Sequence, residues 1–146
     1  MPKVRFQCIV AVHLFFIRNN TILLLRRQNT GFCDGMFSVV AGHIEGNENV
    51  IESMIREAKE EVGVLINKRD LHFVQVMHRK KENEERIDFF FECKKWRGKI
   101  KINEPEKCNE LRWVRLKNLP QDMVPYVYFA ITQYLKGNLT TLFGWK

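Results

Sequence analysis

From Gly42 to Val64 the chain reads GHIEGNENVIESMIREAKEEVGV, and this stretch restricts the fold more than any other. Asn49 followed three residues later by Glu52 is a capping-box pair, so a helix is predicted to begin near Val50. Gly63 suits the left-handed stop that ends it, giving a helix of about thirteen residues. On a helical wheel Ile51, Ile55, Ala58 and Val62 share one side and are predicted to face a core. Glu57, Glu60 and Glu61 share another side, while Arg56 and Lys59 project elsewhere.

That carboxylate cluster opposes helix stability in two ways. Glu57 and Glu61 form a like-charge i,i+4 pair, a cost of roughly 0.2–0.5 kcal/mol in an isolated helix. All three glutamates also stand toward the negative pole of the helix dipole, where cations are preferred. Hard oxygen donors on one face suit Mg²⁺ or Mn²⁺, whose charge cancels both penalties. The alternative is a solvated acidic face with Arg56 and Glu60 paired at i,i+4.

Around the helix the chain reads as mostly strands. The apolar run Phe6–Ile17 is predicted to be a buried strand, and Ile22–Leu25 its hairpin partner across the Asn19-Asn20 break. Gly31–Gly35 reads as a loop and Met36–Val40 as a short strand. Strands over Leu71–His78 and Arg86–Trp96 flank Arg79–Glu85, a run of charged residues and one Asn that reads as a solvated hairpin loop. Glu110–Leu116 is a further strand. A second helix is predicted from Pro125, with Val127, Ile131 and Leu135 inward and Gly137 as its stop. This order is not regular βαβ alternation, so a mixed sheet sandwiched between helices is expected.

At 146 residues the chain is the size of one domain, 1–146, with no repeat or linker to divide it. Lys and Arg number 24 against 17 Asp and Glu, a net charge of +7 that favours anionic partners. Cys8, Cys33, Cys93 and Cys108 have neither CxxC nor zinc-site spacing and read as reduced thiols. Lys3 and Arg5 ahead of Phe6–Ile17 imitate a signal peptide, but Gln7 and His13 interrupt the run and no cleavage site follows. The run is also too short to span a bilayer. A cytoplasmic protein with no membrane association is expected.

The segment 42–64 resembles the Nudix box, Gly-x5-Glu-x7-Arg-Glu-U-x-Glu-Glu-x-Gly-U, where U is bulky and apolar. Gly42, Glu48, Arg56, Glu57, Ala58, Glu60, Glu61, Gly63 and Val64 stand at its nine positions. Ala58 is small for a U position. Arg26-Arg27 followed by NTGFCDGMFSVVAGH is similar to the lead-in of MutT-like members, and EPEKCNELRWVRLKNLP followed by VPY is similar to the tail of one small bacterial-type subgroup. The resemblance implies the Nudix fold, an α/β class α/β/α sandwich around a mixed sheet. It also implies a hydrolase acting on acid anhydrides in phosphorus-containing compounds, dependent on Mg²⁺ or alternatively Mn²⁺.

The resemblance further implies roles residue by residue. Glu60 and Glu61 are metal ligands, and Glu57 is either a third ligand or the general base. Arg56 orients the carboxylates with Glu48 as its salt-bridge partner, so Glu48, Arg56, Glu57 and Glu60 form the catalytic set. Ala41, just before the box glycine, offers its backbone carbonyl to metal. Glu106 is the candidate for a further ligand outside the box, with Glu104 close enough to compete. Arg27 matches a phosphate-binding arginine, with an exposed strand-end charge as the plain alternative. His43, in the box loop, is either a substrate contact or loop packing. Phe32, Trp96, Tyr126, Phe143 and Trp145 are candidates for base stacking, each with a core role as its alternative. The aromatic tail is expected to fold back beside the substrate pocket, and His13 to be a satisfied core or sheet-face histidine. The asparagine that MutT-like relatives use for an oxidised guanine has no counterpart, since Gln121-Asp122-Met123 stands near that place.

The expected substrate is a nucleoside triphosphate or related nucleotide, cleaved to a nucleoside monophosphate plus pyrophosphate. ADP-ribose, a dinucleoside polyphosphate and RNA 5′ ends share the same site chemistry. A nucleotide-sensing module without turnover is the rival from another class, although such modules commonly lose box carboxylates and this chain keeps all of them.

Overall fold

Strand β1, Ile9–Arg18, is apolar on both faces, and its alternation feeds two separate cores. Val12, Leu14 and Phe16 point to one side of the sheet, where they pack with Met54, Ala58 and Val62 of helix α1, Val50–Val62. Phe15 and Ile17 point to the other, against Val127, Ala130 and Ile131 of helix α2, Pro125–Leu135. A helix on each face makes the α/β/α sandwich that the residue pattern leads one to expect. This computed structural model describes residues 2–146.

Strand β1 turns through Asn19-Asn20 into β2, Thr21–Arg27, with Ile17 opposite Ile22. Asn19 takes the left-handed backbone (φ 57°) that this tight turn requires. Short β3, Phe37–Ser38, pairs with β2, and β4, Val40–His43, runs antiparallel to the first half of β1. After α1 and a 3₁₀ turn at Lys68–Asp70 come β5, Leu71–Lys81, and β6, Glu84–Cys93. Strand β6 is parallel to β1 and antiparallel to β5. Strand β7, Cys108–Arg115, pairs with β2, and β8, Thr140–Phe143, lies parallel to β5. The sheet is therefore mixed, with β1 at its centre.

The helix α1 forms as expected. The Asn49 side chain accepts from the Glu52 N–H at 2.9 Å, Glu52 accepts from the Asn49 N–H at 3.0 Å, and Gly63 (φ 73°) closes the C-terminus. Its inward face differs from the expected one. Met54, Ala58 and Val62 are buried, but Ile51 stays 38 % exposed. The helix is rotated so that the Glu57 and Glu61 side also turns inward, which leaves Ile51 at the margin.

Four other expectations need correction. The first strand starts at Ile9 rather than Phe6, because pairing begins at Ile9↔Arg86 and Ala11↔His43; Phe6 is 69 % exposed. Arg79–Glu85 is not a solvated loop. The ladder continues through Lys80↔Glu85 and Lys81↔Glu84, opposite charges facing across the strands, and leaves only Glu82-Asn83 as the tip. Leu135 is 45 % exposed rather than inward. The tail does fold back, but as edge strand β8. Phe143 packs on Phe129 and the Trp145 indole N–H donates to the His78 carbonyl at 2.9 Å, away from the cleft described next.

Candidate active site

Pairing of β4 with β1 brings Ala41, Gly42 and His43 beside the first half of β1, and the capped start of α1 follows directly. The helix then lies across β4, with Glu57, Glu60 and Glu61 directed into a cleft of about 1550 Å³. Its walls are Ala41, Gly42 and His43 on one side and Glu104 and Lys107 on another. Arg27, Phe32, His13, Arg79 and Tyr126 line it as well.

Arg56 organises the acidic end. Its Nη2 and Nε donate to the two oxygens of Glu48 at 2.7 and 3.0 Å, a bidentate pair. Its Nη1 donates to Glu57 Oε1 at 2.9 Å and to Glu60 Oε2 at 3.2 Å, and Nη2 also reaches the His43 carbonyl at 3.3 Å. Hydrogen bonds from Arg56 first, and from the Glu45 N–H second, hold the Glu48 carboxyl down at about 2. The same contacts push the guanidinium of Arg56 above its ordinary value.

Glu61 lies deeper. Burial, and then the neighbouring Glu57 carboxyl with which it shares a hydrogen bond, push its pKa well above the ordinary carboxylate range. The Ala41 N–H donates to its Oε2 at 3.3 Å. Glu104 is likewise pushed up, first by burial, with the charges of Glu106, Glu57 and Glu60 contributing. Among the described residues no three His, Cys, Asp or Glu side chains are already gathered at metal-ligand spacing. Arg56 instead draws Glu57 and Glu60 toward itself. The chemistry of the donors nevertheless fits a hard divalent cation: Glu57 and Glu61 are hard oxygen donors crowded together where two carboxylates repel, and a cation relieves that repulsion.

Among the residues singled out from the sequence, Arg27, Ala41, His43, Arg56, Glu57, Glu60 and Glu61 all line the one cleft. Glu48 stands behind them through Arg56. The Arg27 guanidinium is held by the Phe32 carbonyl at 2.8 Å and Thr30 Oγ1 at 2.9 Å, and His43 Nε2 accepts from Arg86 at 3.1 Å. Of the two outer acids, Glu104 lines the cleft, whereas Glu106 stands on the surface, so the preference for Glu106 is reversed. Of the aromatic candidates, Phe32 and Tyr126 line the cleft; Trp96, Phe143 and Trp145 do not.

A buried polar set in the cleft lining escapes a reading of the sequence. Arg79 makes a bidentate pair with fully buried Asp88, with Nε to Oδ2 at 2.8 Å, and lies 3.7 Å from the centre of the Tyr126 ring. The Tyr126 hydroxyl bonds His13 Nε2 at 2.9 Å, and His13 stacks on Phe90. Burial lowers His13 to about 4 and raises Tyr126 to about 12, so both are neutral at pH 7. His13 is thus a satisfied sheet-face histidine. The signal for Arg79 was its distance of nine residues from Asp88 across a tight hairpin.

Comparison with known proteins bears on the whole chain. The NUDIX domain family model matches residues 9–134. An ADP-ribose pyrophosphatase of Methanocaldococcus jannaschii is 31 % identical over 112 residues, 77 % of this chain and 64 % of that protein. The NAD-capped RNA hydrolase NudC of Stutzerimonas stutzeri is 31 % identical over 104 residues, 70 % of this chain and 35 % of that protein. The chain therefore spans less than two-thirds of the length of either curated relative. The crystal structure of a MutT NUDIX hydrolase from Burkholderia pseudomallei superposes with a TM-score of 0.78 at 22 % identity, covering 88 % of this chain and 98 % of that one. The MutT protein of Methanosarcina mazei gives 0.76 at 18 % identity, covering 93 % and 99 %. These structures share the fold, and by the match over residues 9–134 the chain belongs to the NUDIX domain family.

Proposed function

We propose that this chain, acting as one unit over 1–146, is a divalent-metal-dependent pyrophosphohydrolase of a nucleoside triphosphate or related nucleotide. The observation that carries this reading is the acidic end of the cleft: Glu57, Glu60 and Glu61 face it together, the first two tied by Arg56 to Glu48. Glu57, Glu60, Glu61 and the Ala41 carbonyl would hold Mg²⁺, or Mn²⁺, with Glu104 as the outer acid. When bound, the metal neutralises the pyrophosphate oxygens and lowers the pKa of an attacking water.

The chain's own residues do the rest. Glu57 takes the proton of the attacking water, either directly or while also serving as a ligand. The water oxygen forms a bond to phosphorus, the bond to the bridging oxygen between the α and β phosphates breaks, and that oxygen leaves with the electron pair. The products are a nucleoside monophosphate and pyrophosphate. Arg56 keeps the carboxylates oriented, while Arg27 and His43 supply positive charge and hydrogen bonds to the phosphates. The nucleoside extends toward Phe32 and Tyr126. We place this activity in the cytoplasm, where free nucleotides are abundant.

The test is a panel of canonical and oxidised (d)NTPs, ADP-ribose and diadenosine polyphosphates, assayed with Mg²⁺, with Mn²⁺ and with EDTA. Turnover of at least one compound that ceases in EDTA is expected. Nucleotide binding without turnover of any member would favour a sensing module instead.

A further inference from the structure

The connection between β6 and β7, residues 94–107, reads KKWRGKIKINEPEK. Five of its first eight residues are cations, Lys94, Lys95, Arg97, Lys99 and Lys101, all exposed, and among the described residues none has a carboxylate partner. Five arginines elsewhere, Arg26, Arg56, Arg79, Arg86 and Arg112, each meet an acid. Five like charges in one short segment raise a local positive potential that attracts an anion.

This segment is also held rigidly, unlike a solvated charge run. Arg97 exchanges two backbone hydrogen bonds with Leu65, at 2.9 and 3.0 Å. The Lys101 N–H donates to the Val62 carbonyl at 3.1 Å and the Asn103 N–H to the Glu61 carbonyl at 3.0 Å. The Asn103 side chain reaches the Glu60 carbonyl at 3.0 Å. The basic segment is thereby fastened to the C-terminal end of α1, and the next residue, Glu104, is already in the cleft wall. Arg97 and Glu104 stand seven positions apart in the chain, a span of at most about 25 Å.

At its outer end the segment meets an aromatic platform. Trp96 stacks beside Trp113 with ring centres 6.2 Å apart. The Arg18 guanidinium lies over both, at 5.1 and 4.7 Å, and among the described residues it too has no acid partner. Arg69, Lys95 and Arg97 line a groove of about 330 Å³ against Trp96, with Asp70 the one acid in it. The indole rings fix the Arg18 plane, leaving its N–H groups for phosphate oxygens.

We infer that this face binds the phosphodiester backbone of a single-stranded RNA whose 5′-terminal nucleotide lies in the cleft. The inference rests on the pyrophosphohydrolase reading, since in RNA the phosphoric anhydride such a site cleaves occurs at the 5′ end. It extends the substrate class from free nucleotides to 5′-terminal ones. A polynucleotide track running out of the cleft meets Lys101, Lys99, Arg97 and Lys95 in turn, then Arg18 on its platform.

The experiment is fluorescence anisotropy with a 12-nucleotide RNA bearing a 5′-hydroxyl, which offers nothing to hydrolyse, titrated at several salt concentrations. A DNA of the same sequence runs beside it, and hydrolysis of the best mononucleotide is measured on every variant. Wild type is expected to bind with log K falling against log salt at a slope of about −2 to −3, as three or four neutralised phosphates would give. The triple variant Lys95→Glu, Arg97→Glu, Lys99→Glu is expected to lose at least about tenfold in RNA affinity, with a flatter slope, and to hydrolyse the mononucleotide within about twofold of wild type. Arg18→Gln, an exposed single change at the hairpin end, is expected to lose severalfold and guards against misfolding of the triple variant. RNA affinity unchanged in both variants, or absent in a wild type that hydrolyses mononucleotides, overturns the inference. Stronger binding of the DNA overturns the assignment to RNA. RNA binding lost in the variants while no nucleotide is turned over would support the surface and strike the hydrolase reading alone.

Discussion

The backbone of Gly42 passes so close to Glu57 that a Cβ at residue 42 would stand 2.1 Å from the Glu57 carboxyl carbon. Gly42 has an ordinary backbone φ, so its requirement is for space rather than for left-handed geometry. The invading methyl would push aside the tip of a flexible side chain. Gly42→Ala is therefore expected to fold with little loss of stability and to lose activity by about 100-fold, the usual cost of misplacing a reacting group by about 1 Å. Thermal denaturation and kcat/KM measured on one preparation check both halves of this expectation.

Arg56 meets Glu48, Glu57, Glu60 and the His43 carbonyl through one planar fork. Lysine keeps the charge but cannot serve those partners together. Arg56→Lys is expected to lose about 10- to 100-fold in kcat and to need more metal for half-maximal rate, as loss of an orienting partner does. A metal titration reads this directly, and an unchanged metal requirement would assign Arg56 to stability alone.

Glu61 is a carboxyl that folding makes harder to ionise. A group whose folded pKa is raised stabilises the protein fully below its unfolded value and loses that contribution as pH rises through the folded one. In EDTA at neutral pH, Glu61→Gln replaces a carboxyl that burial and Glu57 make costly to ionise with a neutral amide of the same shape. It is expected to raise Tm while abolishing activity by at least about 100-fold. Scanning calorimetry without metal, paired with the assay, separates this from ordinary destabilisation.

His13 works in the opposite sense. Its pKa is about 4 in the folded protein against 6.5 for the free side chain. The unfolded chain therefore binds the extra proton between those values, and stability falls as pH drops from about 6.5 toward 4. The loss is of order 3 kcal/mol at most. His13→Gln is expected to be less stable at pH 7 yet to show a flatter decline over that window, followed by urea midpoints at each pH.

The tail offers a separate check on where the substrate lies. Strand β8 pairs with β5 through Val76↔Thr140 to Arg79↔Phe143, and none of its residues lines the cleft. Removing Leu142–Lys146 is expected to lower stability by about 2 kcal/mol, or about 4–8 °C in Tm. Activity should stay within about threefold.

Local chemistry made much of this readable from the chain alone. Asn49, Glu52 and Gly63 mark the ends of α1 because their hydrogen-bonding and left-handed roles act within a few residues. Pro125 marks the start of α2 for the same reason. The two-sided alternation of β1 foretells a helix on each face. What escaped depends on partners distant in sequence or on rotation about an axis. Arg79 reads as a loop charge until the hairpin brings Asp88 to it. Ile51 reads as core until the helix turns Glu57 and Glu61 inward. Thr140–Phe143 is too short to announce a strand without β5 beside it. At the cleft, the box supplied Glu57, Glu60 and Glu61 by spacing, but the choice between Glu104 and Glu106 needed the path of the β6–β7 connection.

The most direct test of the hydrolase reading is ³¹P NMR of the products formed from the best nucleotide with Mg²⁺, with Glu61→Gln run in parallel. Resonances of a nucleoside monophosphate and pyrophosphate in equal amounts, absent from the variant, are the expected result. Release of inorganic phosphate and a nucleoside diphosphate, or equal product from the variant, would contradict cleavage between the α and β phosphates at this carboxylate site.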